Sequence, residues 1–533
     1  METPTFLTAA VAAPHHLAAE AGQDVLIDGG NAIEATVAMA AAIAVVYPHM
    51  NGLGGDGFWT IGEPGRGGGL GTVRTIMANG PAAAGATIRR YRDKGYGAIP
   101  SRGPDAVLTT PGTVDGWRLA LDLSRALGGR LPLARLLDPA IRHAAAGTPV
   151  SRSEALYTPK DRLALEQAPG FAETFFSEGK PPEAGSLRRQ PGLAATLERL
   201  AHAGLDDFYR GDIAREIAVD LERIGSPLDR EDFQRYEAQW RKPLSLQLDG
   251  VTLYNTTLPT QGLASLMILG MFERLGVIEP DTFAHIHGLV EASKRALAVR
   301  DMVCVDPALS HGDPAQWLTA STLARESARI DSTRAATLPI RFGEGDTIWM
   351  GAIDAAGMAV SFIQSIYWEY GSGCVLPRTG ILMKNRGVAF SLDENSPRAL
   401  RPGRYPFHTL NPPLAVFDDG RAMSYGTMGG DGQPQIQAQI MSRYRLGMGL
   451  ADAIDAPRFL WGRTWGTTST TTKLENRFDP SLVAALSRAG HEIEEDAASY
   501  SEHFGHAGAL VRKTRGDVEA AHDPRSDGGS DGI

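Results

Sequence analysis

Residues 347–367 read TIWMGAIDAAGMAVSFIQSIY, and this stretch decides the fold. It is dense in β-forming residues, and Asp354 to Gly357 in its middle has the composition of a tight turn. The stretch therefore predicts a β-hairpin. The preceding residues 341–346, RFGEGD, are polar and glycine-rich, which is typical of an exposed, flexible strip. A strand thus begins abruptly at Thr347.

The composition around this hairpin is that of an ordinary globular protein. The chain has 533 residues, of which 43% are hydrophobic and 21% charged, enough for a large layered domain. A net charge of −10 argues against nucleic-acid binding. The most apolar stretch, Asn31 to Val46, is too short for a membrane span and predicts a buried helix. The N-terminus lacks the basic start of a signal peptide. We expect a cytoplasmic protein that binds neither nucleic acid nor a membrane.

Helical and strand patterns alternate along the rest of the chain. We predict helices over Asp115 to Ala126, Leu193 to Leu200, Asp281 to Asp301, 434–443 and 480–489, and strands over Arg241 to Tyr254. The polar tail from Asp523 is expected to be frayed. Mixed sheet and helix of this kind favours layered α/β packing.

Thr347 has two interpretations. At a new chain terminus a threonine carries a hydroxyl nucleophile and, in its own α-amine, a base of pKa near 8. Inside a chain, a threonine that begins a strand is usually just a β-former. Gly429 and Gly430 precede a predicted helix and are similarly ambiguous. They can present backbone N–H groups to a developing oxyanion or form an ordinary turn.

Neither the histidines nor the cysteines form a recognisable metal motif. The pairs His15-His16 and His285-x-His287 have no persuasive carboxylate nearby, and Cys304 and Cys374 lack zinc-site spacing. The glycine loop 52–57 is not followed by the Gly-Lys-Ser/Thr of a phosphate-binding loop. We expect no metal ion and no organic cofactor.

Several short motifs, each modest alone, occur in a specific order over nearly the whole chain. They are PHHLAAEAG (14–22), GGNAIEA (29–35), PHMNGLGGDGF (48–58), PGTVDG (111–116), DPAI (138–141), PTQG (259–262), EASKRA (291–296), RD (300–301) and the block 346–391. In these segments the chain resembles the γ-glutamyltransferase family of N-terminal nucleophile hydrolases. The resemblance implies a four-layer αββα sandwich and a zymogen that cuts itself between Asp346 and Thr347.

The resemblance also implies two fragments and a set of site residues. Residues 1–346 would form the large fragment and 347–533 the small one, both within one domain, as a heterodimer that could pair into a dimer of heterodimers. Thr347 would be the nucleophile, oriented by Ser365, with the amides of Gly429 and Gly430 binding the oxyanion. The residues expected to contact substrate are Asn385, Arg386, Tyr367, His408 and Thr409, the last two in PFHTLNP (406–412).

The departures from the family pattern bear on the substrate. Where the family binds a glutamate carboxylate with arginine, this chain has Met77 in MANGP (77–81), and Ala389 replaces the aspartate that binds the α-amine. Tyr367 replaces an asparagine. Because carrying an unpaired charge into such a pocket costs several kcal/mol, we expect poor activity on glutathione. Arg386 could clamp a small carboxylate, or it could be a structural arginine.

Trp349, Tyr367 and Met77 are bulky and would shrink the pocket. A small amide fits such a pocket, and the resemblance implies hydrolysis of oxamate to oxalate and ammonia, as in purine (allantoin) breakdown. The alternatives left open are γ-glutamyl transfer or glutathione hydrolysis, an acylase for larger amides such as cephalosporins, and a non-catalytic protein that kept the fold.

Overall fold

The structure is a computed structural model that describes residues 2–65, 69–310, 312–337, 346–462, 471–496 and 498–533. The strip predicted to be flexible, 341–345, lies outside the described residues, and so does the side chain of Asp346. Among the described residues, no helix combines the length and the apolar character needed to cross a membrane.

Two seven-stranded antiparallel sheets form the centre of the molecule. The strands of the first sheet, in spatial order, are β1 (Thr5–Phe6), β20 (Val518–His522), β19 (Ala507–Arg512), β15 (Ala422–Thr427), β14 (Leu414–Phe417), β9 (Val251–Asn255) and β8 (Leu244–Leu248). Those of the second are β21 (Gly529–Gly532), β2 (Ala10–Ala13), β10 (Asp346–Ile353), β11 (Ala359–Tyr367), β3 (Asp56–Pro64), β4 (Leu70–Ala78) and β7 (Gln239–Arg241). The smaller strands are β5 (Thr148–Pro149), β6 (Leu187–Arg188), β12 (Val375–Leu376), β13 (Ile381–Leu382), β16 (Phe459–Trp461), β17 (Thr472–Glu475) and β18 (Ile493–Asp496).

The predicted hairpin is confirmed as β10 and β11, which lie in the middle of the second sheet. Ile353 pairs with Ala359 across the turn, and Asp354 Oδ1 accepts a hydrogen bond from the amide of Met358 at 3.0 Å. Every residue of β11 is buried. The hairpin is therefore the core of this sheet, and β2 and β3 flank it.

Helices cover the outer face of each sheet. In chain order the helices are α1 (His16–Ile27), α2 (Ala32–Val46), α3 (Ile88–Asp93), α4 (Thr113–Ala126), α5 (Leu133–Ala146), α6 (Arg152–Tyr157), α7 (Arg162–Glu166), α8 (Phe171–Phe175), α9 (Pro191–Ala203), α10 (Asp207–Arg210), α11 (Asp212–Ile224), α12 (Arg230–Arg235), α13 (Gly262–Glu273), α14 (Phe283–Val303), α15 (Ala320–Ser327), α16 (Gln433–Arg445), α17 (Leu450–Asp455) and α18 (Pro480–Arg488). The predicted buried helix is α2, in which all residues are buried. The helices predicted over 115–126, 193–200, 281–301, 434–443 and 480–489 are α4, α9, α14, α16 and α18.

Three apolar layers hold this arrangement together. Helices α1, α2, α4, α5 and α9 pack on the second sheet, whereas α13, α14 and α16 pack on the first. Between the sheets, Phe58, Trp349 and Ile363 of the second sheet meet Leu414 and Leu510 of the first. The layers are therefore helix, sheet, sheet and helix, which confirms the predicted αββα sandwich.

The C-terminal tail is not frayed, so that prediction was wrong. β21 pairs with β2 at the edge of the second sheet. Ahead of it, Asp523 and Arg525 are buried, and Arg525 bonds both Asp523 and Glu475. The segment GSDG of β21 has no apolar alternation, so its sequence gives no strand signal.

Candidate active site

Three polar residues lie side by side on neighbouring strands at one end of the second sheet. Ser365, near the end of β11, pairs with Asp56, the first residue of β3. Ser365 lies on the same face of β11 as Ile363, and Asp56 lies on the same face of β3 as Phe58. Ile363 and Phe58 belong to the core between the sheets. In β10 the pairing shifts between Asp346 and Ile348, which puts Thr347 at an irregularity beside Ser365. Thr347, Ser365 and Asp56 are all at most 2% exposed.

The chain turns sharply just beyond Ser365. Ser365 Oγ accepts a hydrogen bond from the amide of Tyr367 at 2.8 Å, and Tyr367 has a φ of 86°. A left-handed conformation is unfavourable for a tyrosine, and such strain is concentrated at functional sites. The Tyr367 ring then supports Arg386, whose guanidinium carbon lies 3.7 Å from the ring centroid.

Arg386 is buried but has no carboxylate partner among the described residues. Its Nε donates to the carbonyl of Phe407 at 2.9 Å, its Nη2 donates to the same oxygen, and its Nη1 reaches Thr409 Oγ1 at 3.4 Å. Each of the other buried arginines pairs with a carboxylate: Arg188 with Glu154, Arg300 with Asp431, Arg443 with Asp281, Arg458 with Asp523 and Arg525 with Glu475. Burial lowers the pKa of Arg386, because keeping the guanidinium charged inside the protein costs free energy.

A buried ion cluster connects this region to Asp56. Lys384 Nζ lies 2.5 Å from Asp56 Oδ1 and donates to the carbonyl of Thr110 at 2.7 Å, while His408 Nε2 lies 3.0 Å from Asp56 Oδ2. Burial alone would raise the pKa of Asp56, but Lys384 and His408 hold it below its ordinary value. Burial and Arg386 lower the pKa of His408 to about 3, so His408 is neutral at pH 7. Burial lowers the pKa of Lys384 to about 8.

The double glycine follows β15 and precedes α16. Gly429 has a φ of 117° and Gly430 a φ of 52°, conformations that glycine adopts without penalty. Gln261 Nε2 donates to the carbonyl of Gly430 at 2.8 Å, and Arg300 bonds both Gln261 and Asp431. Within the described part of the chain, the amides of Gly429 and Gly430 donate to no acceptor. These N–H groups are therefore available to a ligand atom.

The remaining predicted residues have different environments. Thr409 contacts Arg386, and its carbonyl accepts from Gln261 at 2.8 Å. Both polar groups of the Asn385 side chain are used by the protein, because Oδ1 accepts from the amide of Trp368 and Nδ2 donates to the carbonyl of Ser101. Asn385 therefore stabilises the turn after β11 through these two hydrogen bonds.

Sequence reasoning missed several residues of this site. Asp56, Lys384, Gln261 and Arg300 all lie in quoted motifs, but none was assigned a role. Asp56 and Lys384 are 328 positions apart, so nothing local in the sequence indicates that they pair. The sequence feature that could have indicated Asp56 and Lys384 is a charged residue inside an otherwise apolar, glycine-rich segment.

Comparison with known proteins agrees with this geometry. Residues 18–533 match the family described as gamma-glutamyltranspeptidase. The chain belongs to this family. It is 50% identical to the oxamate amidohydrolase proenzyme of Klebsiella pneumoniae subsp. pneumoniae, over 98% of this chain and 97% of the relative. It is 38% identical to the glutathione hydrolase-like YwrD proenzyme of Bacillus subtilis, over 98% of each chain.

A solved structure supports the same assignment. The cephalosporin acylase of Bacillus halodurans superposes with a TM-score of 0.90 at 31% identity, covering 100% of this chain and 97% of that one. Membership of the gamma-glutamyltranspeptidase family and the αββα sandwich identify this family member as an N-terminal nucleophile hydrolase.

Proposed function

We propose that this protein cuts itself between Asp346 and Thr347 and then uses Thr347 to hydrolyse a small anionic amide, oxamate to oxalate and ammonia. The observation that carries the proposal is the buried charge of Arg386, which has no carboxylate partner among the described residues. The similarity to a protein named as an oxamate amidohydrolase proenzyme supports the same substrate.

Arg386 suits a small carboxylate. A guanidinium has five N–H donors, and the contacts to Phe407 and Thr409 use three of them. Two therefore remain for a ligand, and a carboxylate is the anion that matches this planar group. The stacked Tyr367 ring fixes the plane in which the carboxylate would bind. In oxamate this carboxylate is joined directly to the amide carbon, so Arg386 would also position the reacting group.

The surroundings of Met77 disfavour a glutamyl substrate. The cleft that Met77 lines with Asn79, Gln239, Arg241 and Tyr405 has a volume of about 20 Å³. That space accommodates roughly one water molecule. A space of this size does not hold a glutamate, and Met77 itself supplies no charge to pair with its carboxylate.

The proposed reaction proceeds through an ester. Thr347 Oγ attacks the amide carbon, and its own α-amine takes the proton. The amides of Gly429 and Gly430 bind the oxyanion, a contribution of about 3–4 kcal/mol per donor in other enzymes. The C–N bond breaks, and ammonia leaves with that proton. Water then attacks the oxalyl ester, which releases oxalate and restores the hydroxyl of Thr347.

The same hydroxyl would carry out maturation. Thr347 Oγ attacks the carbonyl carbon of Asp346, the peptide nitrogen becomes the free α-amine of Thr347, and water hydrolyses the ester that remains. The products are fragments of 346 and 187 residues. Ser365, held by the amide of Tyr367, is the hydroxyl that would orient the nucleophile in both reactions.

The test combines intact mass with ammonia release. We expect the wild-type protein to split after Asp346 and to release ammonia from oxamate. Thr347→Ala should remain one chain, whereas Thr347→Ser should still split, more slowly. Cleavage of Thr347→Ala at the same bond would refute the assignment of the nucleophile.

The substrate is tested separately on the matured enzyme. Oxamate is compared with glutathione, with a cephalosporin side-chain amide, and with glutathione plus glycylglycine. Faster turnover of either larger amide than of oxamate would overturn the proposed substrate but not the nucleophile. An increase in rate with glycylglycine would indicate a transferase.

A further inference from the structure

A buried polar cluster on α14 lies away from the nucleophile. His287, Glu291 and Lys294 occur at intervals of four and three residues, so they share one face of the helix. His491, which follows α18, completes the cluster, and its Nε2 lies 2.8 Å from Nδ1 of His287. All four side chains are at most 5% exposed. Burying so many polar groups is costly unless each has a partner.

The charged pair of this cluster, Glu291 and Lys294, holds the half-buried Ala336 by its backbone. Glu291 Oε2 accepts from the amide of Ala336 at 3.1 Å, and Lys294 Nζ donates to the carbonyl of Ala336 at 2.9 Å. Glu291 and Lys294 also bond each other at 2.7 Å. Both backbone groups of Ala336 are therefore fixed, as they would be in a β-ladder, and the amide of Ala335 adds a bond to the carbonyl of Ala489 at 2.8 Å.

The histidine pair holds the same segment five residues earlier. His287 Nε2 lies 2.7 Å from the carbonyl oxygen of Asp331. Because a carbonyl can only accept, Nε2 of His287 donates this bond, and its Nδ1 faces Nε2 of His491. Burial lowers the pKa of His491 to about 3, so His491 stays neutral at pH 7. The carboxylate of Asp331 then caps the local turn by accepting from Thr333 and Arg334.

These contacts do not favour a metal ion at the cluster. The ligand atoms of His287, Glu291 and His491 lie within 4.8 Å of one another. However, both oxygens of Glu291 already accept hydrogen bonds, and the ammonium of Lys294 supplies a positive charge 2.7 Å away. A divalent cation would have to displace that charge.

The segment held by the cluster leads directly to the proposed cleavage bond. Ala336 precedes Thr347 by eleven residues. The same helix continues to Arg300, which bonds Gln261 and also Asp431, the residue that follows Gly429 and Gly430. Lys294 and Arg300 are six residues apart, about 9 Å along the helix axis. One rigid helix thus contacts both the segment before the cleavage bond and the loop that would bind the oxyanion.

We propose that His287, Glu291, Lys294 and His491 form a backbone clamp that holds residues 331–336 and positions the chain for self-cleavage at Thr347. This inference rests on the proposed cleavage. After the bond breaks, the clamp keeps the end of the large fragment attached. Without the clamp, the nearest side-chain anchor before Thr347 would be Arg329, whose carbonyl accepts from Arg295, eighteen residues away rather than eleven. Loop-closure entropy alone then predicts cleavage slower by about twofold, and lost direction adds to this.

Two histidines of α14 that lie two residues apart, His287 and His285, give a matched pair of variant and control. His287→Gln removes a clamp contact, whereas His285→Gln removes an equally buried ring that bonds Ser442 and the amide of Asp281 but not residues 331–336. A second clamp variant, Glu291→Leu with Lys294→Met, removes both charges and leaves neither unpaired.

The chains are made by cell-free synthesis and sampled over time for the fraction still uncleaved. We expect Glu291→Leu with Lys294→Met, which releases Ala336, to mature about twofold more slowly or worse. His287→Gln, which releases Asp331 alone, should mature more slowly than His285→Gln, which should keep the wild-type rate. Ammonia release per matured enzyme should be unchanged in all of them. Clamp variants that mature as fast as His285→Gln would overturn the clamp alone. A wild-type chain that never cleaves after Asp346 would overturn the proposed function and the clamp with it.

Discussion

Arg386 is the residue whose environment is hardest to explain by stability. A buried charge without an ion-pair partner destabilises a fold, and every other buried arginine of the described chain has a carboxylate at ion-pair distance. The contacts to Phe407 and Thr409 satisfy only part of the guanidinium. Under the proposed function, the carboxylate of the substrate supplies the missing partner.

Replacing Arg386 should therefore separate binding from stability. We expect Arg386→Gln to lower kcat/KM for oxamate by about 10- to 100-fold, because a hydrogen bond to a charged group contributes roughly 1.5–3 kcal/mol. The melting temperature should stay the same or rise, since a buried unpaired charge is removed. The control is Arg443→Gln, which leaves Asp281 unpaired and should destabilise the fold without changing KM. If both variants lose stability and keep KM, Arg386 is a structural arginine.

Asp523 gives a prediction for pH. Burial would raise its pKa, but Arg458 at 2.6 Å and Arg525 at 3.0 Å hold the pKa of Asp523 at about 2. The unfolded value is about 3.9, so between these values the unfolded chain binds more protons. The stability from this carboxylate is therefore fully present above about pH 4 and is lost as the pH falls towards 2.

The measurement is urea unfolding of wild type and Asp523→Asn at pH 5, 4 and 3. Their difference in free energy of unfolding should shrink by about 1 kcal/mol between pH 5 and pH 3. Asp93→Asn is the control, because Asp93 pairs with Arg89 where both side chains are exposed, so its difference from wild type should be small and the same at each pH. A difference that stays constant with pH would mean that Asp523 titrates normally.

At the scale of elements, the connection between β15 and α16 depends on backbone conformation. A Cβ on Gly429 would meet its nearest atoms at 3.6 Å and 3.8 Å, so space is available, but the φ of 117° is unfavourable for alanine. Gly447, after α16, has a φ of 94° and no atom within 4 Å of an added Cβ. The two sites differ mainly in their distance from the proposed reaction.

Gly429→Ala and Gly447→Ala should therefore have similar stability and different activity. We expect each to lose about 1 kcal/mol in the free energy of unfolding. Only Gly429→Ala should lose kcat, by roughly 100-fold or more, as expected when an oxyanion donor is misplaced. Equal kcat values in the two variants would show that this loop does not bind the oxyanion.

Elements with strong periodicity could be predicted from the sequence, and those without it could not. The hairpin of β10 and β11 and the buried helix α2 follow from their apolar patterns. By contrast, β21 is made of GSDG and joins the sheet through backbone bonds to β2, which leave no side-chain pattern. Likewise Asp56 pairs with Lys384 across 328 positions, a contact created by the tertiary fold alone. Arg386 was identified, but the absence of a carboxylate partner became visible only in three dimensions.

At the scale of the molecule, each of the two sheets contains strands from both sides of the proposed cleavage bond. The first sheet takes β1, β8 and β9 from residues before Thr347 and β14, β15, β19 and β20 from residues after it. The second sheet places β10 and β11 between β2 and β3. Separating the fragments would therefore break the ladders of both sheets and expose the apolar layer between them.

The two fragments should accordingly behave as one folding unit that cannot easily be reassembled. In native buffer, the matured enzyme should elute as one species that contains both fragments in equal amounts. After full denaturation and dilution, its refolding yield should fall as the protein concentration falls, because two chains must meet. Uncleaved Thr347→Ala should refold with a yield independent of concentration, since its halves remain joined. Fragments that separate in native buffer, or a matured enzyme that refolds equally well at every dilution, would contradict the shared sheets as the source of its cohesion.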